Sequence, residues 1–76
     1  MEEELNVFKV MLGKRIKEIR KSKGLTQPQL GALINKDYQD ISRLENGKVN
    51  PSAFYIWQIS NALNVPVEEF YNIKKV

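Results

Sequence analysis

Apolar and polar residues alternate along this chain with the period of an α-helix almost throughout. Leu5, Phe8, Leu12, Ile16 and Ile19 recur at spacings of 3, 4, 4 and 3. At about 100° per residue they fall on one narrow stripe, which predicts an amphipathic helix from Glu4 to Ser22. Lys14, Lys17 and Lys21 lie on the opposite side and read as a solvated face. Gly13 weakens this helix by about 1 kcal/mol relative to Ala. Lys23-Gly24 marks its end, because Gly adopts positive φ without strain.

Thr26-Gln27-Pro28-Gln29 is a helix start. Thr26 caps, Gln29 completes a capping box, and Pro28 occupies the first turn, where a missing N–H is harmless. Leu30, Leu33 and Ile34 supply a short apolar face, and Asn35 ends the helix because it tolerates the left-handed conformation. After Lys36, Asp37 caps a third helix, with Asp40 at the box position near the positive helix end. Ile41 and Leu44 face inward, and Asn46-Gly47 closes it. Pro51-Ser52 opens a fourth helix with the stripe Ile56, Ile59 and Leu63, ended by Asn64. Val65-Pro66 leads to a short fifth helix from Val67 to Tyr71. Nothing alternates with period two, so the expected fold class is all-α, a compact five-helix bundle.

Composition narrows the chemistry. The 76 residues suffice for one small domain. There is no Cys and no His, which excludes disulfides, Cys/His metal sites and His-based catalysis. No cofactor, metal or small-molecule ligand is therefore expected, and no enzyme activity. Asp37 and Asp40 both have cap explanations. Met1-Glu2-Glu3-Glu4 has the wrong charge for a signal or transit peptide, and no apolar run approaches the ~20 residues of a membrane span. A cytoplasmic chain without membrane contact is expected. The net charge is only +3, but Lys9 to Lys23 holds seven basic residues and one acidic residue.

The stretch from Gln27 to Asn46 meets the demands of a helix-turn-helix. It has two short helices, a tight turn at Asn35-Lys36-Asp37, small Gly31 at the crossing, and inward Leu30, Ile34, Ile41 and Leu44. Further residues extend the pattern: Leu12-Gly13-Lys14-Arg15-Ile16, Arg20, Gly24-Leu25-Thr26-Gln27, Ile41-Ser42-Arg43-Leu44-Glu45-Asn46-Gly47, Asn50-Pro51-Ser52, Ala62-Leu63, Val65 and Glu68-Glu69-Phe70. In these residues the chain resembles the phage repressor/Cro-type helix-turn-helix domain of the xenobiotic-response-element family, whose fold is of the lambda-repressor-like type. The resemblance covers residues 12–70. Residues 1–11 form an N-terminal extension joined to the first helix, and 71–76 a C-terminal tail. Gly31 stands where the family commonly has Ala, Asn35 where it has the turn Gly, and Lys36 where an apolar residue tucks under the turn. The Lys36 stem is expected along the core edge with its ammonium in water.

An α-helix fits the DNA major groove, so the resemblance implies double-stranded DNA as partner, read by the helix at about 38–46. Tyr38, Gln39, Ser42 and Arg43 are the candidate base-reading residues. Gln39 leads, since an amide pairs bidentately with adenine. Asp40 is read as a cap rather than a cytosine contact. The resemblance makes Gln27 a phosphate contact; Asn46 and Lys48, just beyond the reading helix, are similarly placed. It also implies a structural ion pair between Arg20 and Glu45.

One reading helix touches few base pairs, and family members usually act as two-fold dimers. The surplus apolar residues Trp57, Val67, Phe70 and Ile73, with Val76, are the candidates for a homodimer surface. For Val67 and Phe70, completion of the monomer core is the competing assignment. The functional expectation is a sequence-specific transcriptional regulator, a repressor, on a near-palindromic site. The alternative is an antitoxin-like or other protein-interaction module that binds a partner protein.

Overall fold

The computed structural model describes residues 1–73; Val76 lies outside them. Four α-helices follow one another: α1 (Glu2–Ser22), α2 (Gln27–Leu33), α3 (Tyr38–Glu45) and α4 (Ala53–Leu63). A single 3-10 turn, Val67–Glu69, comes last. The class is all-α as expected, but the fifth helix is only this turn. Its bonds run i to i+3, from Glu69 N to Pro66 O, Phe70 N to Val67 O and Tyr71 N to Glu68 O. So few residues after a proline do not repay the nucleation of an α-helix.

α1 starts at Glu2, two residues earlier than expected. Glu2, Glu3 and Glu4 fill its first turn, where negative charge is favourable against the helix dipole. The capping box at α2 is complete: Thr26 Oγ1 accepts from Gln29 N at 3.2 Å and Gln29 Oε1 accepts from Thr26 N at 2.8 Å. The box expected at α3 does not close. Asp37 accepts from Gln39 N at a long 3.4 Å, and Asp40 is exposed and adds no cap bond. Asn35 turns the chain at φ 58° and Asn64 ends α4 at φ 56°, both left-handed.

The core collects Leu12, Ile16 and Ile19 from α1, Leu30 and Ile34 from α2, Ile41 and Leu44 from α3, and Ile56, Ile59 and Leu63 from α4. Phe70 closes it from the far end, fully buried. Phe70 is therefore a core residue and not a dimer residue, and Ile73 is partly buried against the same cluster. Val67 and Trp57 stay on the surface. Leu33, expected to face inward, is 60% exposed. Leu30 and Ile34 are about 40° apart around the helix, whereas Leu33 lies about 100° from Ile34 and turns outward.

The chain's end is fastened to α1. Arg15 Nε donates to Glu69 O at 2.8 Å, and its guanidinium lies 3.8 Å from both the Glu69 and Glu18 carboxylates. Phe8 stacks on Tyr71 with centroids 6.4 Å apart. Residues 2–11 thus continue α1, with Glu2 to Val7 exposed and Phe8 packed against Tyr71.

Gly13 matters for packing more than for helix propensity. A Cβ there would lie 2.5 Å from Leu44 O and 2.6 Å from Glu45 O. The end of α3 presses its backbone directly against α1. Gly13→Ala is expected to lower stability by ~2 kcal/mol or more through overpacking, although Ala favours the helix by ~1 kcal/mol. Urea unfolding beside the exposed control Asn6→Ala, expected to be near neutral, checks this.

Candidate nucleic-acid interface

α3 is held at its end by a buried polar cluster. Arg20 and Glu45 are 5% and 4% exposed. Arg20 Nε donates to Glu45 Oε2 at 2.6 Å and Arg20 Nη2 donates to Oε1 at 3.0 Å, a bidentate pair. Arg20 Nη1 donates to Leu25 O at 2.7 Å. Gln27 Nε2 completes the set by donating to Glu45 Oε1 at 3.0 Å. One guanidinium thereby fixes the end of α1, the loop into α2 and the last residue of α3. Sequence reasoning had Arg20 and Glu45 only by resemblance, and missed the link to Gln27. A polar residue at a helix start next to a buried carboxylate leaves no periodic signal. The contact also changes the expectation for Gln27. One amide hydrogen is committed to Glu45, and only the second remains as a donor for a phosphate oxygen.

On α3, Gln39, Ser42, Arg43 and Asn46 share an arc of about 100° turned away from Ile41 and Leu44. Gln39, Arg43 and Asn46 are exposed and Ser42 is half-buried. Asn46 Nδ2 donates to Ser42 Oγ at 3.3 Å. Asn46 therefore stands in the same row as the candidate base readers. Tyr38, 51% exposed, lies to the flank of that row on the Glu45 side. Lys48 is exposed beyond the helix end, with its N–H donating to Arg43 O at 2.9 Å.

The turn before α3 is docked on α4. A Cβ on Gly31 would collide with the carbonyl of Lys36, and Lys36 N donates to Gly31 O at 2.8 Å. The Lys36 ammonium does not simply sit in water: it lies over the Tyr55 ring, 4.9 Å from its centroid. The Tyr55 hydroxyl is buried without a hydrogen-bond partner among the described residues. Burial, reinforced by the charges of Asp40 and Glu45, pushes its pKa up to about 12.

The chain matches the family model described as helix-turn-helix over residues 16–70. Control protein C.MunI of a Mycoplasma species is 33% identical over 69 residues, which span 90% of this chain and 93% of that protein. The chain belongs to this helix-turn-helix family. Within it the domain is of the Cro/C1 type, a DNA-binding transcription regulator. Among solved structures, the restriction-modification controller protein C.AhdI from Aeromonas hydrophila matches with a TM-score of 0.78 at 33% identity, over 80% of this chain and 88% of that one. Bacillus thuringiensis PlcR, solved with the peptide PapR7 and DNA, matches with a TM-score of 0.76 at 37% identity, over 88% of this chain but only 24% of PlcR.

Among the described residues no helix is long and apolar enough to cross a membrane and no acidic cluster could hold a metal ion.

Two variants probe the supports of this helix-turn-helix. Arg20→Ala leaves a buried carboxylate unpaired, so a loss of ~3–5 kcal/mol is expected. Lys21→Ala, one residue on and exposed, should be nearly silent. Equal melting shifts would refute the assignment. Tyr55→Phe removes an unpaired buried hydroxyl and keeps the ring under Lys36, so it should be neutral or stabilising. In the parent, the folded-state pKa of Tyr55 lies above the ordinary 10.0. Between these values the unfolded chain has already lost the proton that the folded chain retains. Stability should therefore fall as pH rises from about 10 to 12. Melting curves across that range should show a shallower decline for Tyr55→Phe.

Proposed function

We propose that this chain recognises a specific double-stranded DNA sequence by laying α3 in the major groove. It acts as a homodimeric repressor on a near-palindromic site. The observation that carries this reading is the row Gln39, Ser42, Arg43 and Asn46 on one exposed face of a helix whose end is bolted down by Arg20, Glu45 and Gln27. An amide, a hydroxyl and a guanidinium in one row offer donors and acceptors to base edges without first having to be pulled from the protein. Tyr38 borders the row, and Gln27 and Lys48 flank it as backbone contacts.

The dimer reading draws on Phe54 and Trp57, 63% and 55% exposed and stacked with centroids 5.9 Å apart. Trp57 and Leu33 line a shallow groove between α4 and α2 that also includes Ile34 and Asn61. Val67 adds to the exposed apolar surface. The reading needs no catalysis and no cofactor, and its work is done in the cytoplasm, where DNA is. The likeness to the restriction-modification controller protein C.AhdI, at 33% identity, makes the regulatory DNA of restriction-modification genes the first target to test.

Selection from a random duplex pool at two salt concentrations tests the proposal. Enrichment of a palindrome is expected; retention that depends on salt but not on sequence would overturn it. Gln39→Ala should relax one position of the selected site by ~1–3 kcal/mol, whereas Lys48→Ala should weaken all sites alike and lower the salt slope.

A further inference from the structure

The outer face of α1 carries a second periodic pattern, distinct from the buried stripe. Glu3, Val7, Val10, Lys14, Lys17 and Lys21 recur at spacings of 4, 3, 4, 3 and 4. On an α-helix these positions fall within an arc of about 80° and form one continuous ridge. All six are exposed, Val7 and Val10 by 54% and 48%. The ridge is acidic at its start, apolar in its middle and basic towards its end. Among the described residues, no carboxylate lies within 4 Å of Lys14, Lys17 or Lys21, and no cation within that distance of Glu3. The other arginines of this helix are occupied, Arg15 with Glu69 and Glu18, and Arg20 with Glu45. Gly47 approaches Val10 from the α3 side, yet about half of Val10 stays open to solvent.

We propose that this ridge is a homotypic interface on which a second copy of the chain docks through its own α1, antiparallel to the first. The charge order dictates the direction. A parallel pair would set glutamates against glutamates and lysines against lysines. An antiparallel pair sets unlike charges together and opposes the helix dipoles. It is also a two-fold, self-complementary contact of the kind that closes a dimer. Setting apolar against apolar fixes the register: Val7 faces Val10 of the other copy at the centre, Glu3 faces Lys14 on either side, and Lys17 and Lys21 lie outside the paired segment. The 4-3 spacing that brings these positions into one row is the spacing that two helices need to interlock. The contact is small, so it is weak in isolation and gains force when the two copies are already neighbours. It involves neither Trp57 nor α3, and so stands apart from the dimer surface proposed above.

The natural chain has no cysteine, which makes a directed cross-link clean. Val7→Cys chain and Val10→Cys chain, both altered at exposed positions, are mixed and oxidised at matched concentration. Disulfide-linked heterodimer is expected to form at least about fivefold faster than either homodimer. Val7→Cys pairing with itself as fast, or no heterodimer above the rate of a cysteine placed at exposed Asn61, would overturn the proposal. Glu3→Lys or Lys14→Glu alone should slow the cross-link about tenfold. The double variant Glu3→Lys/Lys14→Glu should restore it. In a Trp57→Ala background the cross-link slows, but the preference for heterodimer over either homodimer should persist; loss of that preference would reassign the contact to α4 and overturn the α1 interface.

Discussion

Where α1, α2 and α3 converge, a guanidinium and a carboxylate are withdrawn almost completely from water. Neither charge is tolerable there alone, so each fixes the position of the other. Arg20 spends its donors on both oxygens of Glu45 and on the Leu25 carbonyl, and Gln27 adds a third donor to the carboxylate. Replacing such a cluster by apolar side chains often leaves stability unchanged or improves it. Its value here is geometric. An apolar contact between α1 and α3 tolerates sliding and rotation; a bidentate fork does not. If α3 reads base edges as proposed, a support that rejects small displacements keeps it in register. Gly13 acts in the same place by a different route, since it lets the last carbonyls of α3 press against the α1 backbone.

The recognition row follows from that support. Ile41 and Leu44 point into the core, which leaves Gln39, Ser42, Arg43 and Asn46 outward with no further choice of orientation. The Asn46–Ser42 bond then ties two members of the row together. On the opposite flank, Lys36 and Tyr55 hold the turn to α4. The reading helix is thus constrained at both ends by charged or polar groups and along its inner side by apolar ones.

Much of this was legible in the sequence, for identifiable reasons. Core residues such as Leu12, Ile16, Ile41 and Ile59 repeat with the helical period, and period reports burial. Thr26, Asn35, Ser52 and Asn64 announce helix ends because their side chains or backbones have local work to do. What could not be read were contacts between residues distant in sequence that obey no period: Gln27 with Glu45, Lys36 with Tyr55, and the missing Cβ of Gly13 against α3. Leu33 shows the limit of periodicity itself. An apolar residue in helical register marks a face, but whether anything covers that face depends on its neighbours. The C-terminal segment shows a related limit. Val67, Phe70 and Ile73 look alike in sequence, yet Phe70 is sealed in the core while Val67 is left on the surface.

The fastening of Arg15 to Glu69 and of Phe8 to Tyr71 bears on how much of the chain the domain needs. These pairs span most of the chain, and Phe70 seals the core beside them. Contacts between residues so far apart close a long loop, a cost in chain entropy that the completed core offsets. A chain cut short before residue 70 would keep the helix-turn-helix in its sequence but lose both the side chain that seals the core behind it and the partners that tie its end to α1.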